Sequence, residues 1–176
     1  IECHRLSPFP HRSLDIGVVL DVMIHDIDII LGLVDSEIKS VEAVGVPVLT
    51  QFEDIANVRL TFQNGCVCNL TASRISEESM RKIRIFLSDT YISLDYGKQE
   101  ACLYRKEDKQ IIKQLLPIEK EEPLKREIES FIDCVKNNKK PLVSGEEAYQ
   151  ALQLSDKMIH KIWGKKKIFV VAGEVS

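Results

Sequence analysis

At 176 residues the chain can build one well-packed domain but is short for two, and its 44% apolar and 29% charged composition excludes a disordered or collagen-like chain. A net charge of -3 predicts no strong attraction to nucleic acid, and the basic run Lys165, Lys166, Lys167 reads as a solvated loop. No stretch offers the roughly 20 uninterrupted apolar residues that a membrane span needs, and none reads as a signal peptide, so no membrane partner is expected.

In chain order, residues 1–6 read as a strand. The chain enters it directly at Ile1 with no methionine, which makes a piece of a longer polypeptide the expectation. The loop SPFPHRSLD follows and carries His11 and Arg12, with Ser13 or Asp15 as candidate N-cap of a helix over residues 17–34. That helix, GVVLDVMIHDIDIILGLV, is apolar around nearly its whole circumference, which predicts burial. Asp21, His25 and Asp28, spaced i, i+4 and i+7, fall on one polar stripe, while Asp26 points to another face. A buried titratable stripe is costly unless its groups pair or meet a ligand, so this stripe is the chain's one chemical candidate.

Residues 38–49 read as an extended, valine-rich segment closed by Pro47 and Thr50. Alternation over 55–62 and again over 66–72, joined at Asn64-Gly65, predicts a hairpin with both turn residues at positive φ. The polar segment ISEESM reads as a loop, and strands are expected at 82–87, 91–96, 101–105 and 110–118. The period then becomes helical, first after Pro123 and again after Pro141, where Ser144 and Glu147 spell a capping box and Gly164 ends the helix. A last strand is expected at 168–172. Strands joined without helices, followed by helices, give an α+β fold: a predominantly antiparallel, mixed open sheet packed on one side by helices.

Five cysteines form no C-x-x-C pair and have no histidine at zinc-ligand spacing, so reduced core thiols in the cytoplasm are expected. Cys66 and Cys68 share a strand face, which leaves a metal or redox pair conceivable. No glycine pattern forms a dinucleotide or phosphate cradle, and neither a nucleophile elbow nor a zinc helix is present. A metal held by Asp21, His25 and Asp28 would need a further ligand that the spacing does not provide, so neither cofactor-binding nor metal-binding residues are assigned. Arg12 and Arg74 are candidate contacts for a substrate anion, Arg74 with the equal alternative of pairing with Glu53 or Asp54.

The stretch GVVLDVMIHDIDIIL resembles the helix that opens the C-terminal domain of the Gfo/Idh/MocA oxidoreductases. EDIANVRLTFQNGCVCNLTASR, residues 53–74, resembles that family's hairpin, and FIDCVKNNKKPLVSGEEAYQALQLSDKMI, residues 131–159, its closing helices. LTASR followed by RKIRIF and YISLDY is most similar to members that oxidise nucleotide-linked amino sugars, UDP-N-acetylglucosamine 3-dehydrogenases among them.

The resemblance implies an NAD(P)-dependent enzyme of two domains, of which residues 1–176 are the substrate-binding and oligomerisation domain. The Rossmann domain, with the glycine-rich loop and the catalytic lysine, would lie outside this chain, which alone should not turn over. Asp21 and His25 match the family's D-x-x-x-H motif, whose histidine lies beside the sugar hydroxyl being oxidised. An imidazole titrates in the range such proton removal needs, and a carboxylate one turn away can orient it. Expected partners are therefore NAD or NADP, a sugar or UDP-sugar, and further copies of the chain through the sheet face. Asp28 is read as scaffold. The alternative is a non-catalytic association module that uses the exposed sheet face, its pocket residues being relics.

Overall fold

The computed structural model describes residues 1–10, 12 and 14–164, and the expected strand at 168–172, the Lys165–Lys167 run, His11 and Ser13 lie outside that set. Among the described residues eight strands form one sheet: β1 (Glu2–Leu6), β2 (Ile38–Val46), β3 (Ile55–Phe62), β4 (Val67–Ser73), β5 (Met80–Phe86), β6 (Thr90–Asp95), β7 (Glu100–Glu107) and β8 (Gln110–Leu116). Their spatial order is β2-β3-β4-β1-β5-β6-β7-β8. The first strand in sequence is thus central, parallel to β4 and antiparallel to β5, and every other pairing is antiparallel. The expected α+β, mixed open sheet is what the chain forms.

The period of two in β3 and β4 has a direct consequence. Ala56, Val58, Leu60 and Phe62 of β3 and Cys68, Leu70 and Ala72 of β4 are all buried on one face. Asn57, Arg59, Asn69 and Thr71 fall on the other, where Arg59 donates to Asn69 at 3.0 Å and Thr71 to Asn57 at 2.9 Å. Met23 of the turn before it, helix α1 (Ile24–Leu33) with Ile27 and Ile30, and helix α3 (Gly145–Trp163) with Ala151, Leu154, Met158 and Ile159 cover the apolar face. Helix α2 (Pro123–Asn137) buries no residue.

Three local expectations are corrected. The hairpin loop has three residues, not two: Gly65 N–H donates to the Phe62 carbonyl at 3.1 Å, Phe62 N–H to the Cys66 carbonyl at 2.9 Å, and only Gly65 has positive φ, 85°. This is a type I turn closed by a glycine bulge. The opening helix is also not buried all round, because the sheet covers one side and α3 part of another, leaving His25 and Leu33 exposed. Its first turn, moreover, is π-helical over Val19–Met23, with the Ile24 N–H reaching back to the Val19 carbonyl.

Candidate active site

Local chemistry fixes where the opening helix begins. Asp15 is exposed and gives no side-chain cap; instead Glu53, from the loop between β2 and β3, takes the first N–H groups. Its carbonyl accepts from Val18 at 2.8 Å and its carboxylate from Val19 at 3.4 Å, while the Trp163 indole donates to the same carboxylate at 2.8 Å. Glu53 is buried and crowds Gly17 so closely that a Cβ there would lie 1.9 Å from Oε1. Glycine is required at position 17 because the capping carboxylate occupies that space.

The structure places the four candidate residues in three different settings. Asp21 is half-buried in the π-helical turn, and His25 is exposed in the first turn of α1. Among the described residues neither side chain makes a hydrogen bond or ion pair, so the two share one end of one helix without being paired. Arg12 is exposed in the preceding loop. Arg74 is fully buried: Nε donates to Asp54 at 2.8 Å, Nη1 to the Ile16 carbonyl at 2.8 Å, and Nη2 to Thr50 Oγ1 at 3.0 Å. Of its two readings, pairing with an acid across the sheet is the one observed, and the acid is Asp54. Burial by itself would raise the Asp54 carboxyl. Hydrogen bonds from Thr50, Val48, Leu49 and Arg74 outweigh that and hold it well below the usual carboxylate range.

Sequence reasoning missed the pair directly behind His25. Asp26 is buried and Arg5 grips both its oxygens, Nε to Oδ2 at 3.1 Å and Nη2 to Oδ1 at 2.6 Å. The Tyr96 ring lies against the guanidinium, 5.9 Å from its centroid, and burial, followed by the charges of Cys3 and Asp26, pushes the Tyr96 phenol up. The available signal was a charge on an otherwise apolar helix face opposite an arginine in a short strand. Adjacency of β1 to α1 could not be read from either segment.

Cys3, Cys66, Cys68, Cys102 and Cys134 are all free, and burial pushes the Cys3 and Cys68 thiols up to about 12. Cys66 and Cys68 sulfurs lie 3.9 Å apart, and no metal-ligating cluster occurs among the described residues. A cleft of about 790 Å³ sits at the far, C-terminal end of α1, lined by Leu31, Gly32, Glu37, Gln153 and Lys157 among others, and none of the four candidates lines it. Among the described residues no helix is long and apolar enough to cross a membrane.

Comparison with known proteins gives these positions a context. Residues 4–93 match the family description GFO/IDH/MocA C-terminal domain. The chain is 38% identical over 141 residues to a UDP-N-acetylglucosamine 3-dehydrogenase of Acidithiobacillus ferrooxidans, an alignment covering 77% of this chain and 45% of that protein. The solved structure of UDP-N-acetylglucosamine 3-dehydrogenase GnnA from the same organism superposes with a TM-score of 0.84 at 34% identity, over 92% of this chain and 52% of that one. Levoglucosan dehydrogenase in complex with NADH and L-sorbose shares the fold, with a TM-score of 0.79 at 15% identity, over 91% of this chain and 55% of that one. The chain thus spans about half the length of the relatives it matches.

Proposed function

Because the chain belongs to the GFO/IDH/MocA family, as its match to that C-terminal domain over residues 4–93 establishes, we propose that it is the substrate-binding half of an NAD(P)-dependent dehydrogenase acting on a nucleotide-linked amino sugar. The observation that carries the reading is the placement of the D-x-x-x-H pair. His25 is exposed in the first turn of α1 and Asp21 half-buried just before it, on a helix whose Val19, Met23 and Ile27 are buried in the core, so that a sugar laid against the open side can meet the ring. The likeness to a UDP-N-acetylglucosamine 3-dehydrogenase supports the substrate class.

This chain's own share of the chemistry is the proton. Oxidation of a secondary alcohol requires removal of the hydroxyl proton, and an imidazole is suited to receive it or to hold the oxygen. Asp21, one turn before His25, is assigned to orient the ring once substrate is bound. Arg12 is retained as a contact for the diphosphate. Arg74, fully engaged in the core, is reassigned to hold the loop between β2 and β3 in place.

The residues present supply no glycine-rich cradle for a dinucleotide. None of the glycines forms a G-x-G-x-x-G turn, and none of Gly17, Gly32 and Gly45 opens a strand-to-helix phosphate cradle. We assign NAD or NADP to a Rossmann domain of the longer polypeptide and derive no step through it. The exposed apolar stripe of α2, Leu124, Ile128, Phe131, Ile132 and Val135, is the surface we assign to that domain. Further copies of the chain are assigned to the outer sheet face, where Phe86, Tyr91 and Tyr104 stack in a row at 5.0 and 4.9 Å and Lys113 lies over Tyr104. The five free thiols fit a reducing, cytoplasmic setting.

The test is reduction of NAD or NADP by UDP-N-acetylglucosamine, measured with the longer polypeptide. His25→Asn is expected to lower kcat/KM by about 10²-fold if the ring handles the proton. An unchanged rate would contradict the assignment. If the polypeptide assembles but oxidises no sugar nucleotide, the association-module reading replaces it.

A further inference from the structure

The dehydrogenase reading leaves open what holds His25 in place, since the ring is exposed and makes no hydrogen bond of its own among the described residues. Its position is therefore the position of the α1 backbone. Glu53 holds the turn before α1 through Val18 and Val19, and the contacts that seat α1 itself beyond that turn are of two kinds. Met23, Ile27 and Ile30 form an apolar seam against the sheet and α3, and such contact resists separation but is non-directional, so a helix can slide or roll on it at little cost. The Arg5–Asp26 fork is directional: two near-parallel N–H donors meet two carboxylate oxygens, and a small slide breaks both.

The arginine end of this fork is itself fixed. Arg5 lies on the central strand β1, in register with Ala72 of β4 on one side and Arg81 of β5 on the other. Tyr96, at the end of β6, backs its guanidinium. The side chains of the pair are 15% and 3% exposed, so the pair is shielded from the solvent screening that weakens surface bridges. The Asp26 Cα lies about 3.8 Å from that of His25, across one peptide bond.

From these observations we propose that Arg5 and Asp26 are positioning residues: the fork sets the register of the first turn of α1 on the centre of the sheet and thereby fixes where His25 meets the substrate. The inference rests on the reading of His25 as the working histidine. A misplacement of 1 Å at a reacting group is enough to cost about 10²-fold in rate. Lysine cannot replace Arg5, because a single ammonium reaches the carboxylate as a point charge and fixes neither roll nor slide.

Two measurements decide it. In the 176-residue chain, Arg5→Lys should speed amide hydrogen exchange of His25 to Ile30 by about tenfold or more, with the β3–β4 hairpin unchanged. In the longer polypeptide the same variant should lose about 10²-fold in kcat with KM within about threefold, as for a group that acts on placement and not on binding. Should Arg5→Lys fail to fold, Asp26→Asn, close in shape, takes its place. The exchanged pair Arg5→Asp with Asp26→Arg should recover part of the lost rate. Exchange at α1 equal to that of the unaltered chain, or acceleration spread evenly through the core, overturns the proposal. If His25→Asn leaves the rate intact, it is the functional reading that fails. The exchange pattern then still decides whether the fork sets the helix.

Discussion

The two ends of the sheet share one hydrogen-bonded ladder yet differ in what they bury. At the end formed by β2, β3, β4 and β1, the inward residues are covered by α1 and α3, and the charged residues Asp26, Glu53, Asp54 and Arg74 are buried with partners. At the end formed by β6, β7 and β8, apolar side chains stand in solvent: Ile111 is 75% exposed and Leu115 70%. Helix α2 shares that exposure: the apolar residues of its stripe are 44 to 66% exposed.

Helix α2 nonetheless has complete local signals. Pro123 opens it, the Glu122 carboxylate accepts from Leu124 and Lys125, and Asn138 closes it in the left-handed conformation, φ 49°. A helix specified locally and left uncovered marks a surface meant for something else. The inward face of the first end is a closed core, whereas α2 and the β7–β8 edge leave apolar side chains in solvent, the α2 stripe being the surface assigned above to a proposed partner domain.

Substitutions should separate the two ends, and the largest effect belongs to the first. Arg74→Met leaves the buried Asp54 carboxylate without its cation and should cost about 3–5 kcal/mol in urea unfolding. Gly17→Ala sets a Cβ against Glu53, displaces the cap and its bond to Trp163, and should cost about 2 kcal/mol by the same measurement. Acid should act on the first end too. The Asp54 carboxyl is depressed in the folded state, so its contribution is fully present above its unfolded value of about 3.9 and is lost as pH falls through the lower folded value. Asp54→Asn should accordingly flatten the loss of stability below about pH 4, followed by thermal melts across pH. At the second end, Phe131→Ser should change the stability of this chain by no more than about 0.5 kcal/mol.

Legibility in the sequence follows the same division between local and distant causes. The β3–β4 hairpin, the capping box of Ser144 and Glu147, and the helix after Pro123 are each written within a few residues, and each is where the pattern placed it. The helix that carries Asp21 and His25 was likewise legible, but not the π-helical turn that leaves Asp21 half-buried and His25 exposed without pairing them. What escaped depends on the crossover that puts β1 beside β4 and β5. Arg5 meets Asp26 across 21 positions, and Trp163 meets Glu53 across 110. The pairing of Arg74 with Asp54 was one of its two legible readings, but its full burial was not, since Ile16 and Thr50 join that pair from segments that only the fold gathers.

The contrast between a covered end and an exposed one is tested most directly by amide hydrogen exchange at Ile128 to Val135 of α2, in this chain and in a polypeptide that carries the proposed dinucleotide-binding domain. In the chain alone these amides should exchange far faster than those of Leu154 to Ile159 in α3, and a docked dinucleotide-binding domain should slow them by about 10²-fold. Protection of α2 equal to that of α3 in the chain alone would contradict the account.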